Sequence, residues 1–385
     1  MSDNVPFEIQ EEIIKHLPVK SLIRFRSVSK SWKSLIDSSD FITHYRSQQQ
    51  HLLVSNYLSN RVSIIDDNTF PQQRVPLTLR LYDKVLKGQK KIGSSHGLLC
   101  LYRRGKVVIW NPLITKLVVV VVPNVAYDKM FKTVLGFGVC RETSDPKIVK
   151  IRYIDRFKDM ESVTSSIPRQ VEIFTLSMGV WTSMNSNLPR KSIVFGSGDG
   201  VCVDGVYYWL ATDRSTVDAE IEAYNMIISF DMTSEEFGEA NLPDNFVYKF
   251  SLWDLHVYNR RESLVLVKRC AWFDDPVYSV WMMEDGVPKS FTKLYTIHLP
   301  YATITKTHEY RKSGELVMEV IDDDRKARSL VVYDPSLKHI SNLGISRETH
   351  NVGIYVQSYM ETLLLLDQPS LMIFGNGKHV VEKLI

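Results

Sequence analysis

Five times between residues 110 and 333 an apolar, aromatic-bearing segment runs into a turn: Ile109-Trp110-Asn111-Pro112, Ile173-Phe174-Thr175-Leu176, Ser229-Phe230-Asp231-Met232, Val280-Trp281-Met282-Met283 and Val332-Tyr333-Asp334-Pro335. The aromatic markers recur roughly every 50 to 65 residues, a period that belongs to propellers and arrays. Between them lie runs of about five to eight residues rich in Val, Ile, Tyr, Phe and Trp, set off by Gly, Asp, Asn and Pro. Gly97–Tyr102 against Val107–Asn111, Val134–Cys140 against Lys147–Ile154, and Val201–Val203 against Val206–Leu210 across Asp204-Gly205 read as hairpins, and Leu264–Lys268 as a further strand. That makes about four strands per unit, and radial stacking of such units leaves only short, protected edges. Leftover strands stand at both ends of the region, His51–Tyr57 and Val62–Ile65 in front, Gly353–Tyr359 and Thr362–Leu366 behind. Pairing them in one composite sheet would close the ring.

The first fifty residues have a different period. Ile9, Ile13, Ile14 and Leu17 fall at the three-and-four spacing of a helix face behind Pro6, and Leu17-Pro18 ends that helix. A second helix spans Val19–Phe25, and Ser29 is placed to cap a third carrying Trp32, Leu35 and Ile36. Phe41–Tyr45 adds a short turn. Helices this short expose apolar groups on more faces than one small core can bury, so a partner is expected to cover the surplus. The fold class expected is therefore α+β multidomain, a small helical unit followed by an all-β propeller-like domain of about six to eight blades.

Other classes of function are argued against. With 47 basic and 44 acidic residues the net charge is only +3, which does not suit a generic nucleic-acid binder. Four scattered cysteines without a C-x-x-C pair suggest neither a zinc module nor a disulfide framework, and point to a reducing compartment. The longest apolar run, Leu117–Val122, has six residues where a spanning helix needs about 20, and residues 1–10 lack the features of a secretory leader. The protein is expected in the cytoplasm, the nucleus or both, with no membrane partner. Gly196-Ser197-Gly198-Asp199-Gly200 has no helix after it to make a phosphate cradle and reads as a loop between blades. Asp322-Asp323-Asp324, followed by Arg325-Lys326, reads as a charged hairpin turn in preference to a cation site. The ten histidines form no metal-binding pair, His96 beside Gly97 reads as structural, and no G-x-S-x-G occurs. No catalytic residue, cofactor or metal is expected. Arg24, Arg26, Lys30 and Lys33 read as a solvated helical face, and the stripe Trp110, Phe174, Phe230, Trp281, Tyr333 as packing between blades.

Val5-Pro6-Phe7-Glu8-Ile9, then the run from Leu17-Pro18 through Val28-Ser29-Lys30-Ser31-Trp32, with Leu35-Ile36, resembles an F-box motif. The remainder resembles the F-box-associated domain of plant F-box and kelch-type proteins. The matching pieces include Gly97-Leu98-Leu99-Cys100, Trp110-Asn111-Pro112, Gly136-Phe137-Gly138, Asp204-Gly205-Val206-Tyr207-Tyr208-Trp209 and Val332-Tyr333-Asp334-Pro335. Three departures stand out: Val5 in place of the usual Leu before Pro6, Pro146 in place of Tyr in the common Asp-Tyr-Lys, and Phe291 where Trp is usual after Ser290. Pro146 argues for an edge or a turn at that point.

The resemblance implies residues 1–46 as the F-box and 47–385 as the associated propeller. It implies a substrate receptor of an SCF-type cullin-RING ubiquitin ligase, without catalysis of its own. The F-box would bind a Skp-type adaptor, and through it the cullin and RING subunits, while the propeller selects a protein for ubiquitylation. The positions carried over as adaptor-binding are Pro6, Ile9, Ile13, Leu17, Pro18, Leu22, Val28 and Trp32. Substrate selection would fall on the connections around Arg156–Arg169, Asp213–Glu222 and Asp322–Ala327. General receptors and the S-locus F-box branch share this architecture. The competing expectation is a glycan-binding or glycan-hydrolysing propeller whose N-terminal helices serve dimerisation.

Overall fold

The computed structural model describes residues 5–45, 50–56, 62–66, 75–77, 90–123, 131–154, 170–184, 188, 193–196, 200–217, 220–243, 246, 252–270, 277–284, 289–299, 302–322, 327–348, 354–369, 371–374 and 379–380. The chain divides into two compact units, Met1–Pro123 with Ile354–Ile385, and Asn124–Gly353.

The first unit opens with four helices: α1 (Phe7–Lys15), α2 (Val19–Phe25), α3 (Lys30–Ile36) and α4 (Ser39–His44). Pro6 and Pro18 occupy the N-cap positions of α1 and α2, where proline's missing N–H costs no helical bond. Ser29 caps α3 as expected, accepting from Trp32 N at 3.1 Å, and Ser38 does the same for α4 through Phe41 N at 3.2 Å.

Two sheets complete this unit. The strands β1 (Gln50–Asn56), β2 (Val62–Asp66), β3 (Val75–Leu77), β4 (Lys90–Ser95), β5 (Leu98–Arg103), β6 (Lys106–Asn111) and β7 (Lys116–Val121) come from its first segment; β25 (Ile354–Met360), β26 (Leu371–Phe374) and β27 (His379–Val380) come from its second. The first sheet has the order β25-β1-β2-β3, with Leu53 opposite Gln357, so the two ends of the β region do share one composite sheet. The second has the order β27-β26-β7-β6-β5-β4, and β26 joins β7 in parallel. Thr362–Leu366, expected as a strand, instead leads into a turn, because it is held from the side by Asn111. Fully buried, Asn111 donates through Nδ2 to Thr362 O (3.0 Å) and Leu364 O (2.9 Å), and its Oδ1 accepts from Leu113 N (3.2 Å) and Tyr359 Oη (3.3 Å). Trp110, Leu53, Leu99, Val108, Leu117 and Tyr359 lie in the core shared by the two sheets.

Among the described residues the second unit holds four antiparallel sheets. β8 (Phe131–Val139), β9 (Pro146–Ile154), β10 (Gln170–Thr175) and β11 (Val180–Met184) form one in reverse chain order. In the next, β12 (Ile193–Phe195) and β13 (Val201–Val203) both pair with β14 (Val206–Val217), followed by β15 (Glu220–Asp231) and β16 (Phe237–Asn241). The last two run β17 (Leu255–Arg260), β18 (Ser263–Cys270), β19 (Val277–Glu284), β20 (Ser290–Ile297), and β21 (Ala302–Tyr310), β22 (Leu316–Asp322), β23 (Ala327–Asp334), β24 (His339–Glu348). Buried side chains form one cluster for each successive pair of these sheets.

The five sequence markers fall on β6, β10, β15, β19 and β23, each in a different sheet; Trp110, Phe174, Phe230 and Tyr333 are buried and Trp281 half-buried. Three of the turns that follow share one device. Asp231 Oδ1 accepts from Thr233 N at 2.7 Å, and Asp334 Oδ1 from Ser336 N at 2.7 Å, closing Asx turns in the manner of Asn111. The hairpin turns Arg104-Gly105 and Asp204-Gly205 carry positive φ at both residues, the backbone that two-residue hairpins of this twist require.

Three expectations are revised. Pro146 begins β9, an interior strand of its sheet, where it donates no ladder bond and its carbonyl accepts from Leu176 N at 3.0 Å. The glycine-rich stretch at 196–200 connects β12 and β13 within one sheet, with 197–199 outside the described residues. Asp213–Glu222 is not an open connection: β14 and β15 pair continuously from Val206–Asp231 to Val217–Glu220. Residues 156–169 and 323–326 lie outside the described residues, although Ile321 and Arg328 are paired across the latter.

Candidate adaptor-docking surface

Helix α1 separates its isoleucines by side. Ile14 is buried, together with Val19, Leu22, Ile36, Phe41, Ile42 and Tyr45 from the other helices and the chain after α4. Ile9 and Ile13, one turn apart, are 53% and 56% exposed, and Val5 (40%), Phe7 (44%) and Val28 (63%) are exposed beside them in the helical segment. Exposure of this many large apolar groups in about forty residues is what an unfilled protein interface looks like.

Of the positions expected to meet the adaptor, Pro6, Ile9, Ile13 and Val28 are exposed, while Leu17, Pro18 and Trp32 are half-buried. Leu22 is corrected: it is fully buried on the inner side of α2, three residues after the equally buried Val19, and serves the packing beneath. Trp32 lies edge-on to Phe25 with ring centroids 5.0 Å apart, and its indole N–H donates to Gln10 Oε1 at 3.2 Å. Gln10 Nε2 in turn donates to Val5 O at 2.8 Å. Trp32 thereby fixes the start of α1 against α3 and leaves its outward side available. Val5 and Phe7, absent from the expected anchors, are exposed as well; their place just ahead of Ile9 in the same motif was the available clue.

Two contacts hold the scaffold. Arg26 at the C-terminal end of α2 pairs with Asp37 at the C-terminal end of α3, Nη2 to Oδ2 at 2.9 Å, and Tyr45 Oη donates to Leu17 O at 2.7 Å. Arg24, Lys30 and Lys33 are exposed, whereas Arg26 is half-buried in its ion pair, so the four do not make one basic patch.

The helices are tied to the composite sheet by Glu361. Its side chain is almost fully buried; Oε2 accepts from Val19 N at 2.8 Å, at the open N-terminus of α2, and Oε1 lies 3.1 Å from His51 Nε2 on β1. A carboxylate there satisfies a helix N–H that would otherwise be buried without a partner.

Among the described residues no group of three or more His, Cys, Asp or Glu is gathered as a metal site. None of the four cysteines is in a disulfide; Cys100, Cys140 and Cys202 are buried and Cys270 half-buried. No described helix is long and apolar enough to cross a membrane. His96, at positive φ in the β4–β5 turn, has Nδ1 3.0 Å from Ser95 Oγ.

Comparison with known proteins adds two family matches, the F-box domain over residues 2–44 and the F-box associated beta propeller domain over residues 50–364. An F-box/kelch-repeat protein of Arabidopsis thaliana is 24% identical over 311 residues, covering 76% of this chain and 79% of its own. A second Arabidopsis relative of the same description is 25% identical over 374 residues, 92% of this chain and 97% of its own. Among solved structures, an oligogalacturonate lyase aligns over 73% of this chain and 69% of its own with a TM-score of 0.38 and 12% identity, a likeness too slight to carry an argument.

Proposed function

This chain belongs to the F-box proteins with an F-box associated β-propeller domain, and from that premise we propose that it is the substrate-recognition subunit of an SCF-type ubiquitin ligase. The observation that carries the reading is the exposure of Val5, Phe7, Ile9, Ile13 and Val28 in the helical segment, while Ile14, Val19, Leu22 and Ile36 of the same segment are buried. Each such side chain that a partner buries contributes roughly 1.5–3 kcal/mol before the costs of association, so a few suffice for a stable complex. The occupant is a Skp-type adaptor, with Pro6, Leu17, Pro18 and Trp32 framing the contact.

Residues 1–46 act as the adaptor-binding domain and 47–385 as the substrate-binding propeller. The chain supplies proximity and orientation, while its partners supply the chemistry. The segments 156–169, 218–219 and 323–326, outside the described residues, are the candidate substrate contacts, and each lies in the chain between the second and third strands of its sheet. Four cysteines with no disulfide among them suit work in the reducing cytoplasm or nucleus.

Co-expression with a Skp-type adaptor tests this. The unmodified chain should purify as a one-to-one complex, lost when Leu17 and Pro18 are both changed to Asp; a folded, unmodified chain that fails to retain the adaptor overturns the proposal.

A further inference from the structure

In the second unit two arginines are brought together without a carboxylate to balance them. Arg260 ends β17, Arg261 follows it in the β17–β18 turn, and both guanidinium groups reach the turn between β21 and β22 of the neighbouring sheet. A Cβ placed on Gly314 would lie 3.1 Å from Arg260 Nη2 and 3.5 Å from Arg261 Nη2, so the two like charges close over one buried glycine. Gly314 has φ +97°, and a side chain there would be strained as well as crowded.

Both arginines are held in place. Arg261 donates through Nε and Nη2 to Lys312 O, each at 3.3 Å, and through Nη2 to Ser313 O at 2.9 Å. Arg260 lies over the Tyr310 ring, its guanidinium carbon 5.5 Å from the centroid, and its Nε is buried with no hydrogen-bond partner. The turn beneath is closed by Gly314 N donating to Arg311 O at 2.9 Å and Arg311 N donating to Glu315 O at 2.8 Å. The groups that could neutralise the pair are engaged or uncharged. Glu315 meets Arg311 Nη1 at 2.8 Å and Ser313 Oγ at 2.7 Å. Among the described residues neither Arg260 nor Arg261 is in an ion pair, with the adjacent Glu262 or any other carboxylate. Burial raises the Tyr295 and Tyr310 hydroxyls, 3.1 Å apart, above the ordinary tyrosine value, so both stay neutral.

The β17–β18 turn is also unusual in its residues. Arg261 and Glu262 both have positive φ, 49° and 63°, whereas the turns His96-Gly97, Arg104-Gly105 and Asp204-Gly205 place glycine second. Two long charged side chains in a conformation that favours glycine point to a use beyond the fold.

We propose that Arg260 and Arg261 form an anion site on the propeller that takes an acidic segment of the selected protein, a side-chain carboxylate seating between the two guanidinium groups. This rests on the reading of the chain as a substrate receptor. Charge names the ligand, since two guanidinium forks without a counter-ion repel each other until an oxyanion accepts from both. The setting names its source. Arg261, Lys312 and Ser313 are exposed, so the site lies on an open turn. A small free ion keeps most of its water there, whereas a peptide brings further contacts with it.

Fluorescence anisotropy of a dye-labelled, capped hexaglutamate peptide titrated with the full chain, without adaptor, tests this. Saturable one-to-one binding is expected. It should be at least tenfold weaker in Arg260→Gln and in Arg261→Gln, and unchanged in Lys106→Gln, which removes an equal charge at an exposed position of the first unit. Melting temperatures accompany each variant, and the exposed Arg261 carries the test if Arg260→Gln lowers stability. Inorganic phosphate, added as competitor at constant ionic strength, should need at least a tenfold higher concentration than unlabelled peptide. Absence of saturable binding, equal losses in all three variants, or arginine variants that bind like the unmodified chain overturn the proposal. Phosphate competing as well as the peptide overturns the assignment to an acidic segment. Adaptor retention is read in a separate experiment, so failure here leaves the receptor reading standing.

Discussion

At position 97 a side chain has nowhere to go. Gly97 has φ +74°, and a Cβ placed there would lie 2.1 Å from Met360 O at the end of the composite sheet. Gly97→Ala should destabilise the chain by about 1–3 kcal/mol from the backbone conformation alone, read as a lower urea midpoint; an unchanged midpoint would contradict this close approach. Buried tyrosines give a second prediction. Burial, reinforced by nearby Cys202 and Asp231, pushes the Tyr208 hydroxyl up to about 12. Burial raises Tyr278, Tyr295, Tyr310, Tyr333 and Tyr359 as well. Since the fold favours the neutral phenol, the stability linked to Tyr208 is fully present below pH about 10 and is lost as the pH rises toward 12. Ultraviolet titration should show these hydroxyls ionising later than exposed ones, and in Tyr208→Phe the alkaline loss of stability should be smaller. A single titration near the ordinary tyrosine value would contradict it.

Among the elements, those set by local sequence are legible in the residues alone. The helices announce themselves by proline, serine caps and a three-and-four period, and the hairpins by paired apolar runs around Arg104-Gly105 and Asp204-Gly205. What periodicity does not separate is inside from outside. Ile13 and Ile14 are neighbours on the same apolar arc, yet one is exposed and the other buried, because the choice depends on where α2–α4 pack. Leu22 reads as a surface anchor for the same reason. Leu22→Ala should cost about 2–5 kcal/mol by leaving a cavity, whereas Ile13→Ala should stay within about 0.5 kcal/mol. Thermal melts of the two variants decide this, and equal losses would contradict the division of the helical face. The parallel pairing of β26 with β7 and the Glu361 bond to Val19 are illegible, since each joins residues hundreds of positions apart and neither leaves a local pattern.

For the molecule as a whole, the aromatic period leads to the sheets because each marker sits on one strand of a separate sheet, and counting leftover strands leads to the composite sheet. The C-terminal segment therefore carries more than its own strands. Ending the chain after Gly353 removes β25 from the composite sheet, both acceptors of Asn111 Nδ2 and the carboxylate that binds Val19 N. Each buried group left without a partner costs about 1–3 kcal/mol, so this truncation should lose the cooperative thermal transition of the full chain; retention of that transition would contradict the role of these contacts. The docking claim needs the helical unit in place but depends on surface residues that the fold itself does not use. Calorimetric titration of a purified Skp-type adaptor into the full chain and into its Ile9→Asp/Ile13→Asp variant is the direct measurement. The account predicts one-to-one binding by the unmodified chain and at least a hundredfold weaker binding by the variant at an unchanged melting temperature; equal affinities would contradict it.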